Sequence, residues 1–81
     1  DYFYKTLLHY ACRYSRVKII KYLLNDHRVN KVIDEYGNTP LHLACKFNHE
    51  KVVEMMLLED KKFDINAKNY EGKTPFHLSF E

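Results

Sequence analysis

Five histidines and two cysteines are the side chains best suited to hold a metal or act as nucleophile or base in this chain. Three of the histidines, His9, His42 and His77, occupy one position in a phrase that the chain writes three times. Neutral imidazole is a common transition-metal ligand, so the shared position invites a metal site. Each histidine, however, comes from a different unit of the repeat, and the reading favoured here is structural. His27 and His49 fall at expected helix ends and read as exposed. Cys12 and Cys45 also share a repeat position, on the inner face of a short helix. They read as small apolar fillers in a reducing compartment. A disulfide would have to join equivalent points of adjacent units, across a stacking distance too long for it.

The carboxylates Asp34, Glu35, Glu50, Glu54, Glu59, Asp60 and Asp64 read as solvated faces or turns, and Lys61 and Lys62 nearly cancel the charge of Glu59 and Asp60. The sequence contains no Gly-rich phosphate loop, Gly-x-Ser-x-Gly elbow or His-Glu-x-x-His stretch. The expectation is a non-enzyme that needs no cofactor, takes no small-molecule substrate and holds no metal.

The phrase itself sets the architecture. Thr6-Leu7-Leu8-His9-Tyr10-Ala11, Thr39-Pro40-Leu41-His42-Leu43-Ala44 and Thr74-Pro75-Phe76-His77-Leu78-Ser79 start 33 and then 35 residues apart. Self-similarity at this period marks stacked supersecondary units. The pattern continues past the phrase: Ile19, Ile20, Leu23 and Leu24 reappear at the same offset as Val52, Val53, Met56 and Leu57. Asp34-Glu35-Tyr36-Gly37-Asn38 precedes the second copy and Asn69-Tyr70-Glu71-Gly72-Lys73 the third, each with Gly two residues before Thr. The whole resembles the ankyrin-repeat family, whose Thr-Pro-Leu-His signature has this period.

The resemblance implies an all-α repeat, an α-solenoid of stacked helix-turn-helix units with β-hairpin-like loops. One domain fragment of a longer array is expected over 1–81, with repeat 1 at about 1–33, repeat 2 at about 34–68 and a partial third repeat at about 69–81. In the second unit Thr39 caps a helix that Pro40 begins. Leu41, Ala44 and Cys45 then share one face, and a second helix starts near Glu50. Gly37 and Gly72 suit a loop needing positive φ. The first unit diverges, with Tyr4 at the Gly position and Leu7 at the Pro position. The family usually has Gly after the second helix, where this chain has His27 and then lysines. Structural roles are implied for Thr6, His9, Ala11, Gly37, Thr39, Pro40, His42, Ala44, Gly72, Thr74, Pro75 and His77, with each imidazole bonding its signature Thr and a neighbouring loop.

The resemblance also implies partner contacts at the loop tips and the exposed side of the first helices, which together line a concave groove. The tip positions are Tyr2, Phe3, Lys5, Glu35, Tyr36, Asn38, Tyr70, Glu71 and Lys73. The helix positions are Arg13, Tyr14, Lys46 and Phe47. Tyr14 and Phe47 each stand three residues after the signature Ala and one after a basic residue, a surface suited to an acidic and apolar protein segment. A net charge of +2 with Lys18, Lys21, Lys51, Lys61, Lys62 and Lys68 spread among Glu50, Glu54 and Glu59 disfavours nucleic acid. The function expected is a non-catalytic protein-interaction module inside a larger intracellular protein, cytoplasmic or nuclear. An architectural segment, a nucleic-acid-associated one, or repeats that target an enzyme lying outside this stretch are the alternatives. No apolar run suggests membrane insertion. Phe76 and Leu78 lack a covering helix, so flanking repeats or self-association are expected over that end.

Overall fold

Thr-Pro starts two helices by the same local device. In the computed structural model, which describes residues 2–26, 32–58 and 63–80, Thr39 and Thr74 hold extended backbone while the prolines after them take the first helical position. The Thr hydroxyl accepts the amide N–H of the histidine three residues on, and that histidine's ring accepts the Thr amide N–H. This is a capping box with imidazole where Glu or Gln is usual. The helices so started are α3 (Pro40–Lys46) and α5 (Pro75–Ser79). The others are α1 (Tyr2–Arg13), α2 (Val17–Leu23) and α4 (Glu50–Leu58). Among the described residues there is no strand. The second-helix ends at His27, Lys61 and Lys62, and the extra residues of the longer interval, lie outside the described residues.

α1 corrects the reading of the first unit. With Leu7 in place of Pro and no Gly ahead of it, nothing interrupts helical backbone, and α1 runs 12 residues against 7 for α3. Thr6 is therefore inside the helix rather than capping it, and its hydroxyl donates to the Tyr2 carbonyl at 2.9 Å. Tyr2, Phe3 and Lys5 lie on the first turns of α1, not at a loop tip. Tyr4 is buried, and its hydroxyl donates to the Leu23 carbonyl at the end of α2 at 3.0 Å.

α1 and α3 close alike. Ser15 and Asn48 turn left-handed, φ +54° and +56°, and the next residue returns its N–H five residues back, Arg16 to Ala11 at 2.9 Å and His49 to Ala44 at 3.0 Å. That ties off helix carbonyls that would otherwise be orphaned.

None of these helices is long enough to persist alone in water, so packing stabilises them. α3 lies between α1 and α5 with α4 behind it, and α2 packs on α4. Pro40 through Cys45 are all buried. Ala11 and Ala44 have no exposed surface, and their small side chains let the first helices approach. Leu8, Ile20, Leu24, Leu41, Val52 and Met56 fill the space between the two helix layers. Each such side chain contributes about 1.5–3 kcal/mol by leaving water, well above the few tenths per residue of helix propensity.

The loops that precede α3 and α5 are built on Asx residues. Asp34 Oδ1 accepts the N–H of Tyr36 and Asn38, and Asn69 Oδ1 accepts those of Glu71 and Lys73. Each loop is tied at its base, Asp34 N–H to the Asn38 carbonyl and Asn69 N–H to the Lys73 carbonyl. Gly37 and Gly72 turn the chain at φ +79° and +77°. A Cβ at Gly37 would meet the Tyr70 ring at 2.6 Å, whereas one at Gly72 would meet nothing within 4 Å. Gly72→Ala should therefore cost only the left-handed strain, about 1–2 kcal/mol. Gly37→Ala should cost measurably more in urea unfolding, and equal losses would contradict the Tyr70 packing.

Candidate interaction groove

The last turns of α1 and α3 place a basic residue beside an aromatic at equivalent points, Arg13 with Tyr14 and Lys46 with Phe47. The Arg13 guanidinium carbon lies 5.8 Å from the Tyr14 ring centroid and 5.4 Å from that of Phe47, so it bridges the two units. Lys46 Nζ lies 5.8 Å from the same Phe47 ring. Such contacts are worth about 0.5–1 kcal/mol at exposed sites and restrict the cation's position. The Tyr14 ring in turn meets that of Tyr10 at a tilt of 50°, centroids 4.8 Å apart.

Arg13, Lys46, Phe47 and the Asp34–Asn38 loop bound a depression of about 380 Å³ that Tyr10 and Tyr14 do not line. One wall carries His9, Arg13, Lys46 and Phe47, the other Asp34, Glu35 and Tyr36. Tyr2 and Lys5 line an adjoining depression of about 310 Å³ that shares His9, Asp34 and Glu35; Phe3 lines neither. Tyr36, Tyr70 and Glu71 are exposed on successive loops. Asn38 is the tip residue the structure takes out of the surface: it is only 4% exposed. Its side chain donates to Asp34 Oδ2 and accepts from Asn69 Nδ2 at 2.9 Å, because a polar group on the loop's inner side must be paired. Lys73 is half-buried, and its carbonyl and amide both serve the loop framework.

His42 joins units. Its Nδ1 accepts the Thr39 N–H at 3.0 Å, so the hydrogen resides on Nε2, which donates to the Lys73 carbonyl at 2.8 Å. His77 makes the bond to its Thr74 N–H at 3.1 Å.

A family model described as ankyrin repeats (3 copies) matches residues 1–69 and 37–81. The chain belongs to the ankyrin-repeat family. A search of curated proteins finds no match. Ankyrin repeats are generally protein–protein interaction modules and typically non-catalytic. Among the described residues no helix is long and apolar enough to cross a membrane.

Within this ankyrin stack His9 departs from its counterparts. Its Nδ1 lies 2.8 Å from the Lys5 carbonyl and so must carry the hydrogen, leaving Nε2 a buried acceptor without a partner. An acceptor cannot donate to the next loop as His42 does. The cause is α1's extra length, which brings a helical carbonyl where Thr6 would otherwise offer an N–H. His49, read as an exposed helix-end residue, has a bonding role instead: Nε2 donates to the Arg13 carbonyl at 2.7 Å and links the first two repeats. Asn69 was also missed as a bridging residue. Its placement three before Gly72, matching Asp34 before Gly37, was the available signal.

Cys12 and Cys45 are free and buried. Each stands three residues after a signature histidine, yet among the described residues no three His, Cys, Asp or Glu side chains gather as a metal site. Burial pushes the Cys12 thiol up from its ordinary 9.0 to about 12, and pushes Cys45 up as well. The unfolded chain therefore ionises Cys12 from about pH 9 while the folded chain keeps it protonated to about 12. Stability present below pH 9 is lost as pH rises through this window. Denaturant titrations of Cys12→Ala should show a shallower alkaline fall than the parent chain. His42→Ala should lower unfolding free energy by about 1–3 kcal/mol through unpaired buried groups. His77→Ala, with no carbonyl of a further repeat among its described partners, should cost clearly less.

Proposed function

We propose that this ankyrin segment is a non-catalytic module that binds a protein partner across its loop tips and the concave side of its first helices. The observation that carries this reading is the Arg13–Phe47–Lys46 cluster, set in a groove that crosses from one repeat to the next. Tyr36 stands 62% exposed on the facing loop. Aromatics and arginine dominate interface energetics because they bring large area and directed bonding at low entropic cost. The core needs neither Tyr36 nor the charged ends of Arg13 and Lys46. Tyr70, Glu71 and Lys73 would extend the same contact line along the next loop.

A Tyr36→Ala, Phe47→Ala double variant tests this. Phe47 packs partly on the core, so some stability is lost, but the circular dichroism of the helical stack should persist. Affinity capture with parent and variant, read by mass spectrometry, should recover a protein with the parent that the variant loses. Equal recovery by both would move the interface to another face.

A further inference from the structure

We propose that Arg13 and Lys46 form a carboxylate-receiving ledge, so that the partner is a protein segment placing an Asp or Glu side chain beside an apolar one in the groove. This rests on the reading that the groove is the interface and names the chemistry it selects.

Three observations point to a carboxylate. The Arg13 and Lys46 cations are held against aromatic rings, Arg13 over Tyr14 and Phe47 and Lys46 over Phe47. A ring contact engages the charge through the π face and leaves N–H donors free to point elsewhere. Among the described residues neither side chain has a hydrogen bond or an ion pair, which leaves those donors available for a ligand there. The carbonyl at the end of α1 is already bonded: that of Arg13 accepts from His49 Nε2. A guanidinium restrained in position, with its donors unused, is prearranged for a planar two-oxygen acceptor.

The facing wall narrows the choice of anion. Asp34 already accepts the N–H groups of Tyr36 and Asn38 on Oδ1 and Asn38 Nδ2 on Oδ2, and it stands on that wall of the groove. Glu35 is exposed beside it. A polyphosphate chain lying here would run against two carboxylates. A protein segment can present a single carboxylate to the helix side while its backbone N–H groups or a basic side chain face Glu35. Leu43 and the Phe47 ring, which also line the groove, suit an aliphatic or aromatic neighbour of that carboxylate. Charge complementarity thus selects an acidic, apolar segment over a nucleic acid.

The test uses a displayed library of random dodecapeptides selected on three forms of the chain: parent, Arg13→Gln/Lys46→Gln, and Tyr36→Ala/Phe47→Ala. Peptides selected by the parent should be enriched in Asp and Glu next to apolar residues. The charge-neutralised form should bind them at least about tenfold more weakly, in line with loss of charge-assisted bonds. Replacing the acidic residue by Gln or Asn should weaken binding to the parent similarly and leave binding to the neutralised form nearly unchanged. The parent's binding should also weaken as salt is raised. Peptides that need Tyr36 and Phe47 yet show no acidic enrichment, or that bind parent and neutralised forms equally, would overturn the ledge while sparing the groove. Peptides retained by the Tyr36→Ala/Phe47→Ala form, or no selection at all, would overturn both.

Discussion

The His42 imidazole accepts a main-chain N–H on one edge and donates to the carbonyl of the next loop on the other. The first bond holds Thr39 as a cap and so fixes where α3 begins. The second fixes how far the Lys73 loop stands from α3, and with it the depth at which α5 packs. Both bonds lie within the stack, with His42 wholly buried, where a missing partner costs more than a present one contributes. α3 touches α1, α4 and α5, so the position of this one ring propagates into most of the core.

Around that ring the polar framework forms a ladder. Asn69 Nδ2 bonds Asn38 Oδ1, the Tyr70 N–H bonds the Tyr36 carbonyl, and the Tyr70 ring covers Gly37. These contacts align the loops of adjacent repeats so that their outward side chains share one line. Tyr36 joins the ladder through its main chain and turns its side chain to the groove. This separates the work of the inner loop residues from that of the tips, and explains why neighbouring positions such as Tyr36 and Asn38 differ so widely in exposure.

The helices α3, α4 and α5 could be read from sequence because Thr-Pro caps and apolar stripes act locally. The loops could be read because Gly at positive φ leaves a visible mark. What escaped depends on replacement or on distance. Tyr4 and Leu7, standing where Gly and Pro would interrupt a helix, let α1 extend backwards, which removed Thr6 from capping and Tyr2, Phe3 and Lys5 from a tip. Asn38 looked like a surface tip because its partner Asn69 lies 31 residues away. His49 bonds across 36 residues, and no local pattern announces a bond to the Arg13 carbonyl. Of the candidate groove, the basic-aromatic pairs were visible as a repeated pattern, but their convergence on one Phe47 ring was not.

Among the described residues, the side-chain clasps of the two seams stand at opposite ends of the stack. Between the second and third repeats the clasp is at the loop end, through His42, Asn69 and Tyr70. Between the first and second it is at the helix-turn end, where His49 holds the Arg13 carbonyl, while His9 makes no bond to match that of His42. A book hinged at its spine opens at the fore-edge. The first seam has its spine beneath the Arg13–Phe47 cluster and its fore-edge between α1 and the Asp34–Asn38 loop, which is where the groove lies.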